Sequence, residues 1–410
     1  MNNQYKTPAL VKKWSTGFMI VGVLTLILGV IFLNPFAGAN GDNVNSTRFW
    51  AVLLQNSVFW LLLLNASTFF MVISILAMGG WQAAFRRVTE AVSSVVPLMS
   101  ILTLVVLLSL VLGHRADIYP WLSGRLLAHD KVLKGKSGFL NPVVYIFISL
   151  FFMGIWSLVS KKLRDFGKEL DRGPMDYETS RRWYKRQTYW AGFYVVSFGL
   201  SVGSIIPWVW IMSIDAHWFS TMFSWYTFGS TFVSGMALLA LFVIYFKNEG
   251  QLEFVNREHL HELLKYVFAF SIFWTYLWFD QYMLIWYGNI PEETVYFKIR
   301  VQGAYKGLFY LNLVLNFLCP FLILMKRAAK RNYALAVIMC ILVIFGHWID
   351  FYLMVMPGTV KSHPHLSWYE LGIPVGFIGF IIWGVNRYAT KVSMTALNDP
   401  FLKESIVHHT

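Results

Sequence analysis

The chain reads as an all-α integral membrane protein of ten transmembrane helices, and three observations predict this. Hydrophobic residues make up 57% of the 410 and charged residues only 13%, far from the composition of an ordinary globular domain. Apolar stretches of about 18 to 25 residues recur along the whole length, each enough to cross a hydrocarbon core of about 30 Å as a helix. The longest connections between them, 113–141 and 161–189, are too short for a soluble domain. Residues 1–410 are therefore expected to form one membrane domain.

The spans are placed at 17–33, 58–78, 93–112, 142–160, 190–212, 226–246, 266–287, 308–325, 333–356 and 371–387. The first has a basic flank, Lys12 and Lys13, and is followed by Ala37, Gly38 and Ala39, as in a cleaved signal peptide. Its apolar stretch is longer than a typical signal core and stops at Asn34-Pro35, so an uncleaved helix is expected. The second and sixth spans share a motif, Ala66-Ser67-Thr68-Phe69 against Gly229-Ser230-Thr231-Phe232. The entries to the fourth and eighth are also alike, Lys136-Ser137-Gly138-Phe139-Leu140-Asn141 against Lys306-Gly307-Leu308-Phe309-Tyr310-Leu311-Asn312. Both matches are offset by four helices, which predicts a parallel repeat: one four-helix bundle over 58–212 and a second over 226–356, with spans one and ten outside them.

Most of the 34 basic residues fall in the tails and in the loops leading from even to odd spans, notably 161–186 and 326–331. By the positive-inside rule both termini are expected in the cytoplasm. The net charge of +13 is then a topological bias facing anionic lipid, and nucleic acid is not an expected partner. Cys319 and Cys340, both inside spans, supply no haem-attachment or iron–sulfur motif. The outer segment 117–135 mixes Tyr119, Trp121 and leucines with charge, as an interfacial segment does. The inner loop 165–186 carries charges of both signs.

Ionisable side chains at bilayer depth cost about 2.5 to 3.5 kcal/mol each on insertion scales, so they face a protein interior or a watered path. His347 and Asp350 stand one helical turn apart in span nine, about 15 and 10 Å from its outer end. Asp280 lies about 12 Å from the outer end of span seven. Asn65 on span two and Asn312 and Asn316 on span eight complete an outer-half polar layer. The inner half offers no comparable acid, base or amide. The carboxylate of Asp350 can accept from the imidazole of His347, and such a pair can hold or relay a proton. It can equally be an interhelical hydrogen-bonding pair, worth about 0.6 kcal/mol per residue. Asp280, beside Tyr276, Gln281 and Tyr282, either extends a proton path or is capped by the hydroxyls. The spacing of Asn312 and Asn316 favours structural hydrogen bonding.

A quinone site needs an apolar slot, aromatic walls and an acid or base for each carbonyl. His114, Asp117, His129 and Asp130 at the outer surface are the candidates for the last. A di-haem cytochrome is argued against, because His347 is the one histidine deep in a span and haems there need facing pairs. No redox cofactor is expected on this chain.

The runs Tyr-Met-Leu-Ile-Trp-Tyr-Gly-Asn-Ile-Pro-Glu-Glu over 282–293 and Gly-His-Trp-Ile-Asp-Phe-Tyr-Leu-Met-Val-Met-Pro over 346–357, with the Lys136–Asn141 entry and ten spans, resemble the polysulfide-reductase membrane-subunit family. Within it the chain is most similar to the second large membrane subunit of bacterial alternative complex III. The resemblance covers nearly the whole chain and implies two four-helix bundles with two flanking helices. It also implies a non-redox subunit of a respiratory complex that oxidises menaquinol. Electrons there pass through partner subunits bearing iron–sulfur clusters and c-type haems to a cytochrome or a terminal oxidase, beside a sister membrane subunit, ActC, that holds the quinol site. The type to which this chain is similar is implied to contribute to proton movement. A subunit with its own quinol site and a secondary transporter are the alternative readings.

Overall fold

The computed structural model describes residues 4–38 and 43–409; Ala39, one of the small residues after the first span, lies outside the described residues. Among the described residues the fold is all-helical. In chain order the helices are α1 (Ala9–Leu33), α2 (Val44–Leu76), α3 (Arg86–Ser93), α4 (Val96–Leu112), α5 (Gly124–His129), α6 (Lys131–Lys136), α7 (Pro142–Glu169), α8 (Tyr177–Leu200) and α9 (Ile206–Trp210). The second half continues with α10 (Met222–Asn248), α11 (Arg257–Gly288), α12 (Pro291–Val301), α13 (Lys306–Leu313), α14 (Cys319–Leu324), α15 (Arg327–Lys330), α16 (Tyr333–Thr359), α17 (Trp368–Ala389) and α18 (Leu402–Ile406).

Nine helical stretches among the described residues are long and apolar enough to cross a membrane. The expected seventh span lies in α11, which has 32 residues but is not among the nine. Trp274, Tyr276, Asp280, Gln281 and Tyr282 dilute its apolar content. Four stretches start eight or more residues earlier than expected, at Ala9, Val44, Gly80 and Tyr177. Span two is capped by the side chain of Asn43 and begins at Val44, and span three covers Gly80–Leu112 with α3 and α4 joined by a turn at Ser94 and Val95. Sequence bounds that stop at charged or amide residues lost these turns, because Arg48, Gln55, Asn56, Arg86, Arg87 and Glu90 are all buried by packing.

α2 and α10 are the central helices, buried along almost their whole apolar windows, and they pack on each other. Their approach is close: a Cβ on Gly235 would sit 2.7 Å from that of Ala66. Around α2 stand α4, α7 and α8, each touching the next; around α10 stand α11, the α13–α14 stretch and α16 in the same manner. α1 lies against α17 at the periphery through glycines, with Gly22 against Gly376 and Gly372 against Thr25. Small residues let membrane helices approach where no hydrophobic effect drives them together.

Two π-helical turns, Ser201–Ile205 and Val314–Leu318, interrupt these stretches, each followed by a proline at the second position of the next helix, Pro207 and Pro320. Proline lacks the N–H that residue i−4 would accept, so the preceding turn widens. The second of these turns carries Asn316.

Candidate functional site

Asp350 on α16 is fully buried, and its carboxylate is held from each of the three helices around it. Oδ1 accepts from Tyr226 Oη of α10 and from Asn312 Nδ2 of α13 at 2.8 Å; Oδ2 accepts from Trp274 Nε1 of α11 at 3.0 Å. Asn312 is in turn fixed by Asn316 Nδ2, which donates to its Oδ1 at 2.6 Å. A carboxylate is an acceptor-only group when ionised, so three donors suit that form, and taking up a proton must displace or turn one of them.

His347 is also fully buried but does not hydrogen-bond to Asp350. Its Nδ1 lies 3.0 Å from Ser230 Oγ, and its ring meets the edge of Trp274 at 5.3 Å. The two helices run antiparallel, so Tyr226 meets Asp350 while Ser230, one turn on, meets His347. Direct imidazole–carboxylate pairing, expected from the three-residue spacing, is replaced by contacts across the helix pair. Among the described residues His347 Nε2 and Asn316 Oδ1 are buried without a partner. Buried polar atoms are seldom left so.

On the outer side of Asp350, the end at which α2 begins, lies a small cavity of about 20 Å³ lined by Tyr226, Gln281, Tyr296, Arg300 and Asn312. That is room for about one water. Arg300, on the connecting helix α12, is buried without an ion-pair partner among the described residues. Its Nε donates to Leu353 O at 2.9 Å, its Nη1 to Tyr296 O at 2.5 Å, and its guanidinium covers the Tyr296 ring at 3.4 Å. Leu353 O is available because Pro357, four residues on inside α16, has no N–H to give it.

The remaining predicted residues are placed elsewhere. Asn65 does not join the layer: its Nδ2 bonds its own helix at Leu61 O and its Oδ1 accepts from Tyr194 Oη at 3.1 Å. The residues of α2 level with His347 are Gln55 and Asn56, which hydrogen-bond to Trp348 O and Trp348 Nε1. Nine residues separate Asn56 from Asn65, so Asn65 lies about 13 Å deeper. Starting span two at Val58 hid both amides and put Asn65 too near the outer end. Asp280 turns away from the cluster onto the partly exposed side of α11, and among the described residues no side chain pairs with it. Tyr282 stacks on Trp278 and meets Phe297 edge to face, without a hydrogen bond to Asp350.

Of the four quinone-site candidates Asp117 and Asp130 are held in local structure. Asp117 binds Arg115 at 2.5 Å and Thr47 at 2.6 Å. Asp130 caps α6 and meets His217 at 2.5 Å; the Leu133 backbone N–H, then His217, holds its carboxyl below the usual range. His114 and His129 are exposed. An apolar cavity of about 440 Å³ between α2, α10, α16 and α17 has aromatic walls, Trp60, Phe242, Phe345 and Trp348, but no acid or base among its lining residues.

The end of the bundle away from the Asp350 cluster, where the sequence offered no comparable acid, base or amide, holds a buried charged network. Glu90, fully buried, takes Arg86 at 3.2 Å and Arg87 at 2.8 Å. Arg86 also meets Asp399 of the C-terminal tail, and Arg87 meets Asp171. Gln187, buried with both polar atoms unpartnered, lines a second cavity of about 20 Å³ with Arg86 and Asp399. Only the RRVTE run could have signalled this network, and its charges read as a loop. Among the described residues no group of three or more His, Cys, Asp or Glu side chains is arranged to hold a metal ion.

The long apolar helices and their buried polar core make this a multi-pass membrane protein. Compared with models of known protein families and with curated proteins, the chain matches none.

Proposed function

We propose that the chain is a membrane subunit of a quinol-oxidising respiratory complex, of the ActF type in bacterial alternative complex III, and that the Asp350 cluster is its proton-handling station. The observation that carries the proton role is a buried carboxylate held from three helices beside a buried imidazole with one ring nitrogen unpartnered among the described residues. Membrane helices bear such groups mainly where protons, ions or substrates pass. The respiratory setting rests on the sequence resemblance. In this reading α11 is the seventh of ten spans and the helices around α2 and around α10 are the two bundles, 58–212 and 226–356. Both termini lie in the cytoplasm of a bacterial inner membrane. The chain binds no cofactor itself, and menaquinol, c-type haem and iron–sulfur clusters belong to partners such as ActC, the electrons leaving to a cytochrome or terminal oxidase.

A proton arriving from the outer side would enter by the cavity beside Gln281 and Arg300, displace a donor on Asp350 Oδ1, and be handed by way of Ser230 to His347. Inward of His347 stand Ser67, Thr68, Asn65 and Tyr194, then Gln187 above the Glu90 network, and among the described residues no direct hydrogen bond joins them to the imidazole. Waters would have to bridge these gaps.

Asp350→Asn in the assembled, reconstituted complex should lower protons moved per electron while leaving electron transfer measurable. An unchanged ratio would remove the proton role. The clamp geometry also supports a second reading, in which Asp350 only locks the bundle; it predicts lowered thermal stability with the ratio intact. Purification without haem-bearing partners, together with solute uptake by the isolated chain in proteoliposomes, would favour a secondary transporter instead.

A further inference from the structure

We infer that the outward face of α11 is a docking surface for a transmembrane helix of a partner chain that carries a lysine or arginine opposite Asp280. The inference needs only the membrane reading, so it survives if the proton role or the respiratory setting fails.

Asp280 stands eight residues, about 12 Å, before the end of α11 and about 9 Å outward of Trp274, the residue level with Asp350. Asp280 is partly exposed and has no hydrogen bond or ion pair among the described residues. Beyond it toward the helix end come Trp286 and Tyr287, both exposed, the aromatic residues that mark a membrane interface. The acid therefore lies within the apolar layer, where an unpaired charge facing lipid is strongly disfavoured.

The rest of this face agrees. Ile272, Tyr276, Phe279, Met283 and Tyr287 are all exposed, at spacings of four, three, four and four, which places them on one face that another helix could pack against. By contrast, the exposed faces of the peripheral helices α4 and α7 show aliphatic and phenylalanine side chains at depth, such as Leu102, Val105, Phe147 and Phe151. Those are lipid-facing surfaces. Two of the residues that dilute the apolar content of this helix, Tyr276 and Asp280, lie toward this outward face. A cation on the partner satisfies the carboxylate by charge complementarity.

The test uses the full chain in its own membranes, with a benzophenone photo-crosslinking residue at Tyr276 or at Met283, and at Phe147 as a lipid-facing control. Mass spectrometry should find the α11 positions joined to an apolar segment of a different chain with Lys or Arg within one helical turn, and Phe147 joined to lipid. Asp280→Asn should reduce the α11 crosslink at least fivefold, and Asp280→Glu should retain most of it, with chain abundance unchanged. Crosslinks to lipid alone, to a second copy of this chain, or to a helix without a cation would overturn the inference. So would a yield unaffected by Asp280→Asn.

Discussion

Arg300 and Pro357 should be energetically coupled, because one supplies the hydrogen bond that the other removes. Replacing Arg300 by methionine keeps an apolar stem and deletes every donor. Leu353 O then loses its donor in a buried site where Pro357 offers no N–H, which costs about 1 to 3 kcal/mol. Loss of the guanidinium from the Tyr296 face adds about 0.5 to 2 kcal/mol. A total of about 2 to 4 kcal/mol is expected for Arg300→Met alone. In a Pro357→Ala background the helix regains its own N–H to Leu353 O, so the same substitution should cost at least about 1 kcal/mol less. Reversible unfolding in mixed detergent, followed by tryptophan fluorescence on all four variants, gives the coupling directly. Additivity within about 0.5 kcal/mol would refute the account of why a lone arginine is buried beside the Asp350 cavity.

Three further outcomes follow from single contacts. Gly346→Ala would drive a Cβ into Asn316 Oδ1 and to 2.9 Å from Leu315 Cβ, costing about 1 to 3 kcal/mol in thermal unfolding; an unchanged midpoint would contradict the packing around the π-helical turn. Gly376→Val meets backbone, 2.7 Å from Gly22 Cα, so α1 should loosen from α17 and its amide hydrogen exchange should quicken severalfold; equal protection would show that α1 is held otherwise. His259, at the inner end of α11, bonds Ser405 of α18 at 3.1 Å, and burial, then the nearby His408, pushes its imidazole down to about 4. Its ordinary value is about 6.5, so the tail docks fully above that pH and loosens as pH falls toward about 4, where the undocked form alone takes the proton. Proteolysis of the tail should therefore be faster at pH 5 than at pH 7.5, and equal rates would contradict this.

Sequence alone determined that this is a helical membrane protein, where most of its helices lie, and that His347, Asp350, Asn312 and Asn316 are its unusual intramembrane groups. Apolar length and the cost of polar atoms in lipid are local properties, readable residue by residue. Tertiary structure decided which of those groups meet. His347 and Asp350 share a face yet bond to Ser230 and to Tyr226, Trp274 and Asn312, because the three neighbouring helices offer nearer partners than the helix offers itself. Asn65 and Asp280 resemble them in type and expected depth, but one belongs to a deeper contact with Tyr194 and the other to an outward face. The buried Arg86–Glu90–Arg87 network was hidden for a related reason. Charges mark a loop when counted along the chain, and only packing from distant segments, the tail at Asp399 and the loop at Asp171, makes their burial affordable.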